Sequence, residues 1–125
     1  MFSHIMLGAN DLEVSRGFYD AALGALGIKA GSFSHDKYFY RSLGGVFAIT
    51  KPIDGNEATH ANGGTILFGA DSEEQVAAWH AAGMANGGSC EGKPEPKPQA
   101  PGSYGAYLRD PDGNKLAAFY NLNLG

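Results

Sequence analysis

Few side chains in this sequence could do chemistry. The 125-residue chain has four histidines and one cysteine. His4 heads a short apolar run, HIML, that reads as a buried strand. An imidazole there can ligate a divalent ion, titrate against a ligand near neutral pH, or serve as a hydrogen-bonded structural residue. His35 and His60 fall in polar stretches, and His80 follows Trp79 on a helical pattern, so all three read as surface residues. Cys90, standing alone, excludes an intrachain disulfide and fits a reducing compartment. Arg41 and Arg109 can hold a carboxylate or phosphate through paired hydrogen bonds. Both also stand beside turn signals, where a solvated arginine is common.

The elements that must position these groups occur twice. HIMLGANDLE, from His4, returns 61 residues later as TILFGADSEE, from Thr65. Without a gap, Ile5 meets Ile66, Gly8 meets Gly69, Glu13 meets Glu74, Phe18 meets Trp79 and Gly27 meets Gly88. Each copy opens with a strand and then a helix, capped by Asn10 or Asp11 in the first and by Asp71 or Ser72 in the second. Gly24 with Gly27, and Gly87 with Gly88, stop the helices. Strand-like segments follow the first helix at Ile28–Phe33, Tyr38–Leu43 and Val46–Thr50, with Gly44-Gly45 as a hairpin turn. After the second helix come a Pro-rich loop, KPEPKPQAPG, and a hairpin of Tyr104–Arg109 and Lys115–Tyr120 around DPDG. Gly44-Gly45 then corresponds to Asp112-Gly113. The reading is one α+β domain over residues 1–125, built as two tandem βαβββ modules with a cleft between their sheets. Module one covers about 1–52, a linker about 53–63, and module two about 64–125.

Composition narrows the partners. The formal net charge is −4, and no cluster of Lys or Arg exists to neutralise phosphates. Nucleic acid and anionic membrane surfaces are therefore not expected. No apolar run approaches the ~18–20 residues that span a bilayer. The N-terminus lacks the basic and long apolar regions of a signal peptide, so a cytoplasmic location is expected.

The segments HIMLGANDLEVSRGFYDAALGALG and YLRDPDGNKLAAF resemble the vicinal oxygen chelate superfamily of glyoxalases, bleomycin-resistance proteins, extradiol dioxygenases and fosfomycin-resistance enzymes. The resemblance covers essentially the whole chain. It implies a cleft whose metal-dependent forms take up to four ligands from the first and last strands of each module. Those places are His4, Ile49, Thr65 and Ala117 here, and only His4 can ligate. The expectation is a degenerate metal site with no cofactor, and a cleft that binds a small organic molecule. The alternative is a divalent-metal-dependent lyase or isomerase of glyoxalase type, with His60 or a second copy supplying a ligand. A dioxygenase fits least, because ferrous iron needs two His and a carboxylate. The resemblance also implies a homodimer.

Strand alternation extends the list of cleft residues. A tight hairpin pairs Arg109 with Asn114, which puts Tyr104, Ala106, Leu108, Lys115, Ala117 and Phe119 on the cleft face. Phe47 and Ile49 line the cleft from module one, with either Tyr38 and Tyr40 or Phe39 and Arg41 from the preceding strand. The expected ligand-binding set is His4, Arg41, Phe47, Ile49, Thr65, Tyr104, Ala117 and Phe119. The Pro-rich loop is a plain connection or a lid that brings Lys93 and Lys97 to the cleft mouth.

Overall fold

Asp11 starts the first helix. Its backbone is extended, and its Oδ1 accepts from the amides of Glu13 and Val14, each at 3.1 Å. That pairs two of the four amides a helix start leaves free. Ser72 caps the second helix with a single bond, its Oγ accepting from the Gln75 amide at 3.1 Å. Gln75 Oε1 reaches back to accept from the Asp71 amide at 2.8 Å. The structure, a computed structural model, describes all 125 residues. Helix α1 spans Leu12–Gly24 and α2 spans Glu73–Ala85.

Both helices end in the same way. Gly27 (φ +84°) lets the Ile28 amide donate to Leu23 O at 3.1 Å, and Gly87 (φ +97°) lets the Gly88 amide donate to Gly83 O at 2.9 Å. The repeat thus slips by one residue here, and the turn glycine matching Gly27 is Gly87 rather than Gly88.

The strands form two four-stranded sheets. The first holds β1 (Ile5–Gly8), β2 (Ser32–Ser34), β3 (Lys37–Ser42) and β4 (Gly45–Thr50) in the order β1-β4-β3-β2. The second holds β5 (Ile66–Ala70), β6 (Ser89–Pro96), β7 (Tyr104–Arg109) and β8 (Lys115–Tyr120) in the order β5-β8-β7-β6. In each sheet the first strand pairs in parallel with the last, and the other pairs are antiparallel. The α+β architecture of two tandem βαβββ modules is therefore the one the repeat implied. His35 and Asp36 sit at the β2–β3 turn with φ of 52° and 61°, an arrangement the sequence does not signal because neither residue is glycine.

Alternation sends one side of each sheet into a shared core. Ile5, Leu7, Tyr38, Tyr40, Phe47 and Ile49 point inward from the first sheet, and Ile66, Phe68, Ala106, Leu108, Leu116 and Ala118 from the second. They meet Phe18, Tyr19 and Leu23 of α1 and Val76 and Trp79 of α2. Phe47 and Phe68 touch edge to face across the two sheets, centroids 5.5 Å apart. The helix-bearing faces are thus turned toward each other, and the helix-free faces point outward on opposite sides. The space between the sheets of one chain is mostly core, not the open cleft expected from the sequence.

Two registers differ from expectation by one residue. Arg109 pairs with Lys115, not Asn114, so the connection is the five residues Asp110–Asn114. The cause is the Asp110 side chain. Its Oδ1 accepts from the amides of Asp112 and Asn114, both at 2.9 Å, while the Asp110 amide donates to Asn114 O at 3.0 Å. In the first sheet, Met6 pairs with Ala48 as Leu67 pairs with Ala117, so the counterpart of Ala117 is Ala48 and not Ile49.

Candidate functional site

The helix-free face of the first sheet carries His4, Met6, Phe39, Arg41, Val46, Ala48 and Thr50. His4 immediately precedes β1 and is exposed, and its Nδ1 lies 2.9 Å from Ser3 Oγ. Met6 is 43% exposed. Arg41 stacks over the Phe39 ring at 5.0 Å and donates to Ser32 Oγ at 2.9 Å. The corresponding face of the second sheet carries Thr65, Leu67, Tyr107, Arg109, Lys115, Ala117 and Phe119. Leu67 is 48% exposed. Phe119 and Tyr107 meet edge to face at 5.7 Å, over the space left by Gly105, where any Cβ would fall 2.7 Å from the Phe119 ring. Arg109 forms an ion pair with Glu91 at 2.5 Å and donates to Gly113 O at 2.9 Å.

The expected binding set is therefore divided. His4 and Arg41 share one open face, and Thr65, Ala117 and Phe119 share the other. Phe47 and Ile49 point into the core, because the β4 register places Val46 and Ala48 outward. Tyr104, Ala106 and Leu108 also lie on the helix side, since the hairpin is one residue longer than a tight turn. The residue of β7 on the open face is Tyr107, which a tight turn would have put on the helix side. The structure resolves the open alternative on β3 in the same terms: Phe39 and Arg41 face out, and Tyr38 and Tyr40 face in.

A crevice of about 470 Å³ does lie between the modules, on the core side. Ile5, Tyr40 and Phe47 line it from one sheet, and Ile66, Phe68 and Ala70 from the other. Its origin is a broken symmetry. In module two the DPDG turn closes onto the end of β1 and the start of α1: Asp112 accepts from the Asn10 amide at 2.9 Å and from Ser15 Oγ at 3.0 Å. Asp110 Oδ2 accepts from Tyr19 OH at 2.5 Å and from Asn114 Nδ2 at 2.9 Å. The equivalent junction of Gly44-Gly45 with Gly69–Asp71 has no such side chains and stays open.

The donor set does not fit a divalent metal. The four first- and last-strand places on the open faces hold His4, Ala48, Thr65 and Ala117, one imidazole against the three protein ligands usual for catalytic zinc. No three His, Cys, Asp or Glu side chains gather anywhere. His60 packs against the DPDG turn: a Cβ at Gly113 would fall 2.8 Å from its Nδ1. Ala58 is pinned to Asn10 by two hydrogen bonds, of 2.7 and 3.2 Å, so this segment sits at the far end of β1 from His4. His80 Nε2 lies 3.2 Å from Cys90 Sγ, and burial lowers its pKa, as does the charge of Lys97. No helix is long and apolar enough to cross a membrane.

A chain of two βαβββ modules with this DPDG clamp has clear relatives. Residues 1–118 match the profile of the Glyoxalase/Bleomycin resistance protein/Dioxygenase superfamily, and the chain belongs to that superfamily. A glyoxalase/bleomycin resistance protein from Albidiferax ferrireducens T118 superposes with a TM-score of 0.90 at 56% identity, over 97% of this chain and 98% of that one. A glyoxalase-related enzyme from Fulvimarina pelagi does so with a TM-score of 0.77 at 26% identity, over 97% and 88%. Lactoylglutathione lyase from Agrobacterium tumefaciens is alike in fold alone, with a TM-score of 0.65 at 21% identity over 97% and 93%. No curated protein matches the chain.

Proposed function

We propose that this protein binds a small organic molecule without a metal, in a cleft made where the helix-free face of the first sheet in one copy meets that of the second sheet in another copy. The observation that carries the reading is the set His4, Ala48, Thr65 and Ala117 at the equivalent strand places of the two modules, of which only His4 can ligate a metal. A homodimer is supported by apolar side chains left exposed on the two faces, Met6 at 43% and Leu67 at 48%, beside polar groups. The alternative, a glyoxalase-type lyase or isomerase using a divalent ion, rests on membership of the superfamily and on His4.

The test is metal content of the purified protein, with thermal unfolding before and after Zn²⁺, Ni²⁺, Mn²⁺ and Fe²⁺. A ligand that binds only the folded state raises the melting temperature. The expected result is no bound metal and no shift that depends on His4. Stoichiometric metal, or a shift abolished by His4→Ala, sends the assignment to the lyase. Sedimentation of the same sample is expected to give a dimer that Leu67→Glu dissociates.

A further inference from the structure

The most unusual group on either open face is Lys97. It belongs to the Pro-rich connection between β6 and β7, yet only 8% of its side chain is exposed. A cation this buried is normally paired closely and fully hydrogen-bonded. Lys97 Nζ has two protein contacts, both long: Glu95 Oε1 at 3.5 Å and Lys93 O at 3.4 Å. Glu95 is also shared with Lys93, at 3.8 Å. An ammonium carries three donors, so this one is only partly satisfied.

Its direction is fixed by a glycine. A Cβ at Gly92 would fall 3.1 Å from Tyr107 Cδ2 and 3.7 Å from Lys97 Nζ, so the ammonium lies beside Tyr107 on the helix-free side. It stands 5.3 Å from the centre of that ring, and Lys115 Nζ stands 5.1 Å from the same centre. Lys115 makes no ion pair. Around Tyr107 the charged groups are Lys93, Lys97, Arg109 and Lys115 against Glu91 and Glu95, a local excess of two positive charges on a chain of net −4. Phe119 and Leu67 lie next to them on the same face.

The geometry points to an anion subsite at Lys97, Lys115 and Tyr107, which selects organic molecules that join a carboxylate to an aromatic or apolar body. The carboxylate completes the hydrogen bonding of Lys97 and neutralises Lys115, and the body lies along Phe119 and Leu67. The inference rests on the reading of the open faces as binding walls and adds the chemical class of the ligand.

Three probes of one shape separate the possibilities: 2-naphthoate, 2-naphthamide and 2-naphthylmethylammonium, titrated calorimetrically into the intact protein. The carboxylate is expected to bind about tenfold tighter than the amide, the scale of one charge-assisted hydrogen bond. That advantage should shrink with added salt and vanish in Lys97→Gln and in Lys115→Gln, with the amide unaffected. The Lys115 ammonium makes no ion pair or hydrogen bond and only stacks on Tyr107, so its variant carries the test if Lys97→Gln melts early. An amide that equals the carboxylate, or an ammonium that exceeds it, overturns the anion subsite and leaves the metal-free cleft standing. Failure of the carboxylate to bind likewise overturns the anion subsite, while the metal-free cleft stands or falls on the metal-content and melting test.

Discussion

Tyr19 and Asp110 form a bond 91 residues long in sequence and 2.5 Å long in space, with both side chains buried. A buried phenol must donate somewhere, and a buried carboxylate must be fully bonded. Asp110 satisfies Tyr19, Asn114 and two amides of its own turn at once. Burial, and then the neighbouring carboxylate, hold the Tyr19 phenol well above its ordinary value of 10.0. The folded value exceeds the unfolded one, so this contribution to stability is whole below about pH 10 and declines as the pH climbs from there toward the folded value. Tyr19→Phe should cost about 2 kcal/mol at neutral pH, the scale of a hydrogen bond to a charged group. It should also flatten the alkaline loss of stability. Urea unfolding followed from pH 7 to 11 checks both.

At the scale of elements, the glycines separate into two kinds that look alike in the sequence. A Cβ at Gly83 would run into Leu108 and Phe18, where α2 crosses α1 and β7. A Cβ at Gly17, inside α1, meets nothing within 4 Å. Gly83→Ala should therefore destabilise by about 1–3 kcal/mol through overpacking, and Gly17→Ala should stabilise by about 1 kcal/mol through helix propensity. Thermal unfolding of the pair checks the signs. The same distinction explains what was legible beforehand. Caps, helix stops and the repeat are local patterns, and they were readable from residues such as Asp11, Gly27 and Gly87. Strand register was not, because the length of the β7–β8 turn is set by Asp110, whose partner Tyr19 lies in the other module. One added residue in that turn reversed Tyr104 and Tyr107. One further step in the repeat exchanged Ile49 for Ala48. His4, Arg41, Thr65, Ala117 and Phe119 kept an outward place; Phe47, Ile49 and Tyr104 did not.

The whole molecule is two halves of like design joined unequally. One junction is closed by Asp110 and Asp112, and the other is left as a crevice at Gly44-Gly45. The helix-free faces lie outside both junctions, so the second copy in the proposed cleft is not needed to complete the core. The clamp has one more consequence. Since side chains of module two hold the start of α1, covalent continuity through the linker is dispensable once the chain has folded. A single cut in the exposed turn at Gly55-Asn56 should leave the halves in one particle by size-exclusion chromatography, melting close to the intact protein. Residues 1–55 made alone should show no cooperative transition. The two similar pieces differ enough at their junctions that each supplies what the other lacks.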